Sequence, residues 1–311
     1  MEKPTCSPFT VYGSSFCAVL AGTALLFACG SSIRIGENPS PGGNNQGGDN
    51  QGGNNQGGDN HPSNNPSPTA TGGAITLPTG GTAPELPKPA ETTSGCDNNL
   101  RVVIRDFRGW AGPNKEPKHP DFENVMRDDP GIVADVLGQD QKPVYNPSGS
   151  PRTVKSADTF NQWYRDVDGV NMRLETTLTL TPSPTDPGVK IYDNQEYYPI
   201  DDQLFGNQNQ THNYSFTTEI HTSFTYKGGE RFTFIGDDDV FVYVNGKLAI
   251  DLGGVHTAKT GTIDFDQQAD SLGLVIGQTY PMDIFQAERH TSLSTFRIET
   301  KFDCLKTYII P

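Results

Sequence analysis

From Tyr214 to Tyr226 the chain reads YSFTTEIHTSFTY, with Phe216, Ile220, Phe224 and Tyr226 on one side and Thr217, Glu219, His221 and Thr225 on the other. A period of two over that length does not fit a helix face and predicts a half-buried strand, polar side to water. Comparable runs at Arg101–Phe107, Arg173–Leu180, Arg231–Ile235, Val240–Val244, Lys247–Leu252, Thr262–Phe265, Tyr280–Gln286 and Thr295–Phe302 predict further strands. Turn signals separate them, including Lys227-Gly228-Gly229 and an Asn245-Gly246 pair set between FVYV and KLAI, which is a strong hairpin signal. Helical pattern is confined to short pieces at Phe122–Met126, Ile132–Leu137, Ala157–Tyr164 and Gln268–Leu272. Many strands and few helices predict an all-β fold, an antiparallel β-sandwich or barrel-like domain.

This pattern begins only at Cys96. Between Gly30 and Gly95 the chain carries 15 Gly and 9 Pro, and Gln46 to Asn60 is a five-residue unit repeated three times, QGGDN-QGGNN-QGGDN. Such a segment has too little apolar surface to offset the entropy of ordering it, and is expected to be a disordered linker. Ahead of it, Val11 to Ala28 is uncharged and ends Leu26-Phe27-Ala28-Cys29. A short apolar run closing on a small residue is the pattern of a secretion signal. Its ending resembles the bacterial lipoprotein signal, which implies Cys29 as a lipidated anchor, a membrane partner through that lipid, and display on the outer membrane or cell surface; plain secretion is the alternative. The expected plan is therefore a signal peptide over 1–28, an anchor and linker over 29–95, and a folded domain over 96–311. That domain holds 31 acids and 20 bases, an excess of negative charge without a basic stripe, which argues against nucleic acid as a partner. Of five cysteines only Cys96 and Cys304 fall in it, one at each end. In an oxidising compartment they read as a disulfide clasp across the domain termini, or else as two unpaired thiols.

The densest segment is Phe232 to His256, FTFIGDDDVFVYVNGKLAIDLGGVH. Three adjacent aspartates, Asp237, Asp238 and Asp239, concentrate negative charge in one turn, and a hard cation held by oxygen ligands would relieve it, Ca²⁺ above all. The competing reading is an Asp-rich turn whose side chains cap backbone N–H groups.

This segment closely resembles the signature of the fibro-slime domain, a branch of the protective-antigen lectin-like (PA-14 type) superfamily. Further similar blocks follow in order: HPDFE at His119–Glu123, KPVY at Lys142–Tyr145, FNQWYRDVDGVN at Phe160–Asn171 and YPMDIFQAERHTSLSTFRIET at Tyr280–Thr300. The resemblance covers nearly all of Cys96–Cys304 and implies a β-sandwich. It also implies that Asp237 and Asp238, joined by a cis peptide, are Ca²⁺ ligands as in the adhesin members, with Asp239 standing where Gly is common and either adding a ligand or facing solvent.

Other candidates each admit two readings. Arg289 and His290 in AERH could bind a sugar or support the Asp loop, or form a solvated strand end. His256 could approach the Asp turn or make ordinary backbone hydrogen bonds. Trp110, beside Gly109, is a candidate stacking platform, whereas Trp163 reads as core. The run Asp166-Val167-Asp168-Gly169 reads as a turn. No His-Glu-x-x-His, Gly-x-Ser-x-Gly or Walker loop occurs. The sequence therefore points to a surface module that binds carbohydrate or extracellular matrix with Ca²⁺, the alternatives being a carbohydrate hydrolase or a structural matrix protein.

Overall fold

The computed structural model describes Cys96 and residues 98–110, 116–147 and 149–310. The signal segment, Cys29 and the linker lie outside the described residues. In chain order the elements are β1 (Asn99–Phe107), β2 (Arg127–Asp128), α1 (Ala157–Phe160), β3 (Asn171–Thr179), β4 (Thr181–Pro182), β5 (Lys190–Asn194), β6 (Phe216–Thr225) and β7 (Arg231–Gly236). They continue with β8 (Asp239–Val244), β9 (Lys247–Leu252), β10 (Gly254–Val255), β11 (Lys259–Asp264), α2 (Phe265–Leu272), β12 (Thr279–Glu288), β13 (Phe296–Thr300) and β14 (Lys306–Tyr308).

The fold is an antiparallel β-sandwich. One sheet runs β3-β1-β6-β12-β8-β9 with β14 added against β6, the second runs β11-β7-β13-β5-β4, and β10 pairs with β2 in a small ribbon. The Asn245-Gly246 turn joins β8 to β9 with φ of 52° and 73°, the left-handed pair that a two-residue hairpin requires. Both helices have side-chain caps: Ser156 and Thr159 form a reciprocal box on α1, and Asp264 caps α2, which ends on left-handed Gly273. The Phe122–Met126 and Ile132–Leu137 pieces are not helical. Val133 and Val136 instead make isolated bridges to Tyr145 and Lys247.

Between the sheets lies the main core, where Ile220, Phe224, Val240, Val242, Met282 and Ile284 of the large sheet meet Phe232, Phe234, Phe296 and Ile298 of the smaller one. Cys96 and Cys304 are joined, closing a span of 208 residues. A loop of that size stabilises by about 5 kcal/mol in the chain-entropy treatment.

The polar side of β6 departs from the expectation of a half-buried strand. Thr217, Glu219 and His221 are as buried as the apolar side, because the segment from Ile132 to Tyr164 covers the outer face of the large sheet with a second apolar cluster built on Trp163, Phe160, Phe241, Tyr243 and Phe285. Burying Glu219 is tolerable because it is fully partnered: Arg105, Lys142 and His221 all donate to its carboxylate. His221 also meets Asp283 through its other ring nitrogen, 2.7 Å away.

Burial alone would lower the His221 pKa, but its hydrogen bonds to the Asp283 and Glu219 carboxylates and their charge raise it above its ordinary value. Burial raises Asp106, on β1, to about 7. Both shifts mean that the folded state holds protons which the unfolded chain releases. Stability from His221 is complete below about pH 6.5 and is lost as pH climbs through its higher folded value, and Asp106 costs stability as pH rises from about 4 to about 7. In EDTA, the free energy of urea unfolding should therefore fall by about 2 kcal/mol between pH 5.5 and pH 8. Equal or greater stability at pH 8 would contradict this assignment.

Candidate ligand and cation site at the Asp pair

The site forms where β7 hands over to β8. Asp237 and Asp238 occupy the connection, joined by a cis peptide. Each carboxylate is fixed by backbone N–H groups from other elements: Asp237 accepts from Thr295, and Asp238 accepts from His256 at 3.0 Å and Arg289 at 3.1 Å. Both residues line a cavity of about 20 Å³, room for a single water or ion, together with His256, Thr257 and the 290–293 loop. Met126 and Leu293 stand at its mouth, 57% and 58% exposed.

The third aspartate behaves differently, and the expectation that it adds a ligand or faces solvent is corrected. Asp239 opens β8, so strand parity sends its side chain to the outer face of the sheet with Phe241 and Tyr243. There it is fully buried, accepting from Gly254 N–H at 2.6 Å and pairing with the Arg289 guanidinium at 2.6–2.7 Å. Gly254 is required at this contact. Its φ is 110°, and a Cβ would come within 2.3 Å of the Arg127 carbonyl oxygen.

Arg289 is not a solvated strand end. It is fully buried and also donates to the carbonyls of Asp121 and Thr153 at 2.8 and 2.7 Å, with its guanidinium 4.5 Å above the Trp163 ring. Trp163 in turn donates to the Asp121 carboxylate at 3.0 Å. The HPDFE, FNQW and AERH blocks thus converge beneath the Asp pair, and Arg289 positions the loop from below. His256 contributes its backbone N–H, while its two ring nitrogens face the carbonyls of Thr257 and Leu252 at 2.9 and 3.0 Å. His290 lines the cavity, with Nδ1 2.8 Å from the Thr291 carbonyl. Trp110 is 37% exposed and held by Gln208 through its backbone N–H, and it does not line the cavity.

Several contributors were not legible as site residues: Thr295, Met126, Leu293 and the buried Glu288. Tyr198 joins them, stacked on His212 with ring centroids 3.9 Å apart and lying within the electrostatic reach of Glu288 and Asp237. A larger cleft of about 480 Å³ lies at the other end of β7, around Arg231, Asp264, Arg297 and Lys301; its Arg297 is already paired with Asp193 and Glu299.

Burial raises the pKa of Asp237, raises Asp238 well above its ordinary value, and raises Asp239 despite the opposing charge of Arg289. Such carboxylates are stabilised as anions by a nearby cation. The donors at the pair are hard oxygens, and the adjacent Glu288 has two buried carboxylate oxygens with no hydrogen bond of normal geometry, so the chemistry fits Ca²⁺. Among the described residues no three His, Cys, Asp or Glu side chains could hold an ion by themselves. The rest of a coordination sphere would have to come from backbone carbonyls, water or ligand hydroxyls.

Residues 174–307 match the model of the PA14 domain family. This part of the chain is a PA14 domain. The match includes Asp237, Asp238 and Glu288, whereas Asp121 and Trp163, which support the candidate site from below, precede it. Curated relatives include two Dictyostelium discoideum proteins. Protein psiR is 38% identical over 209 residues, covering 61% of this chain and 21% of its own length; protein psiC is 37% identical over 222 residues, covering 67% and 42%. The chain thus spans less than half the length of these relatives. Among solved structures, the PA14 domain of the MpAFP antifreeze protein matches with a TM-score of 0.32 and 6% identity, over 72% of this chain and 97% of that one. The epithelial adhesin 6 A domain of Candida glabrata, solved with Galβ1-3GlcNAc, matches at 0.28 and 14%, over 72% and 85%.

Proposed function

We propose that the PA14 domain is an adhesin-like carbohydrate-binding module working outside the cell, and that its ligand docks over Asp237 and Asp238 with Ca²⁺ between carboxylates and sugar. The observation that carries this reading is the geometry of the pair. Two carboxylates held by backbone N–H groups of three separate segments share an ion-sized cavity that opens to the surface and leaves coordination positions for a ligand to fill. Calcium bound there would neutralise the paired charge and accept vicinal sugar hydroxyls as oxygen ligands. The chain's own part is to hold the two carboxylates in place through Thr295, His256 and Arg289 N–H groups, and to offer the Met126 and Leu293 side chains against the apolar parts of the ligand. Lipidation at Cys29 belongs to the same proposal and rests on the sequence alone. It would tether the module to a membrane through a linker whose reach, for a flexible Gly-rich coil, is about 45 Å.

The test is a glycan array probed with the purified chain and its Asp237→Ala variant. Binding to a defined glycan set that falls at least about 100-fold in the variant supports the reading. Absence of any glycan binding by the unaltered chain, or equal binding by the variant, overturns it.

A further inference from the structure

The strand β12 carries an acid in a register meant for the core. Met282 and Ile284 point between the two sheets, and alternation sends Gln286 and Glu288 the same way. The pairing of Gln286 with Val240 and of Ala287 with Asp239 brings Glu288 level with Asp238. The two segments run close together here, because the Gln286 amide donates to the Asp237 carbonyl at 2.9 Å. Glu288 is fully buried, and neither carboxylate oxygen makes a hydrogen bond of normal geometry, although the Ser294 hydroxyl and the His290 N–H lie within its reach; Gln286 Oε1 also lacks a partner. Three buried oxygens without a well-formed hydrogen bond therefore collect behind the Asp pair. Arg289 turns its guanidinium to Asp239 on the opposite face of the sheet.

A buried carboxylate without well-formed hydrogen bonds or a counter-charge is costly in a protein interior, and natural structures retain one where a cation or function compensates. The three acids lie within electrostatic reach of one another, Asp237 and Asp238 on the cavity and Glu288 buried behind them. We infer that Glu288 is the third acid of the cation site: a positioning residue that does not touch the ligand but strengthens divalent-cation binding at Asp237 and Asp238 from the interior of the sandwich. The inference rests on the calcium reading of the pair and adds a residue to it. It predicts two effects of opposite sign. Without calcium the Glu288 carboxylate destabilises the fold, and with calcium it contributes to affinity.

The experiment uses the full chain and its Glu288→Gln variant, with calcium chloride as the only probe. Calorimetric titration at pH 7.5 should show calcium affinity reduced about tenfold or more in the variant, while in EDTA the variant should melt at the same or a higher temperature than the unaltered chain. Equal calcium affinity in the two proteins would overturn the role of Glu288 and leave the Asp-pair reading standing. A variant that melts lower in EDTA, or fails to fold, would overturn it as well, since it would show that the Glu288 carboxyl is satisfied without calcium. No calcium binding by the unaltered chain would remove the Asp-pair reading and this inference together.

Discussion

Replacing Arg289 with methionine should destabilise the domain by about 3–5 kcal/mol, among the largest losses available to a single substitution. The guanidinium is fully buried, pairs with Asp239, and supplies hydrogen bonds to two carbonyls on separate segments. Methionine fills much of the volume but leaves the Asp239 carboxylate with Gly254 N–H as its remaining donor. The Asp121 and Thr153 carbonyls lose a donor too, and each buried acceptor left without a partner costs about 1–3 kcal/mol. Urea unfolding measures the loss. Adding Asp239→Asn to the methionine variant should recover part of it, because the stranded charge is removed. A loss below about 1 kcal/mol in the single variant would mean that Arg289 does not hold the site from below.

The second large effect is on calcium. Asp238→Asn keeps the shape of the side chain and one of the two oxygens that accept backbone N–H groups, and removes one of the two charges at the cavity. The unaltered domain, with calcium at about 1,000 times its dissociation constant, should gain about 4 kcal/mol of stability and melt about 10 °C higher than in EDTA. In the Asn variant that gain should vanish whatever its melting temperature in EDTA, since loss of the buried anion favours the fold while the new amide NH₂ faces one of the two N–H donors of His256 and Arg289. A calcium shift of full size in the variant would place the cation elsewhere.

The strands were legible because their period is local and repeats, and the Asn245-Gly246 hairpin because its turn chemistry is specific. What covers the outer face of the large sheet was not. The segment from Ile132 to Tyr164 is mostly irregular and has no sustained period, so nothing in β6 itself announces that Glu219 and His221 are buried. Their burial depends on Arg105 and Lys142, which arrive from 114 and 77 residues away along the chain.

At the site, three adjacent aspartates look equivalent as letters and are separated by strand parity. Asp239 is already inside β8 and faces Arg289, whereas Asp237 and Asp238 precede the strand and face the cavity. Glu288 carried a usable signal, since Met282, Ile284 and Gln286 set the parity that sends it inward. The signal is lost when the strand is ended at Gln286, because an acid beyond a strand end reads as solvated. For Arg289 the sequence left support of the Asp loop and a solvated strand end both open, because its partners Asp121 and Thr153 lie 168 and 136 residues away and only the folded chain brings the HPDFE and FNQW blocks beneath it.

The central claim is that the Asp pair binds sugar through calcium. Its most direct test is one glycan array probed twice with the same preparation of the full chain, once in millimolar calcium and once in EDTA. The account predicts a defined set of bound glycans in calcium and loss of that binding in EDTA, restored when calcium is returned. Glycan binding of equal strength in EDTA would contradict it.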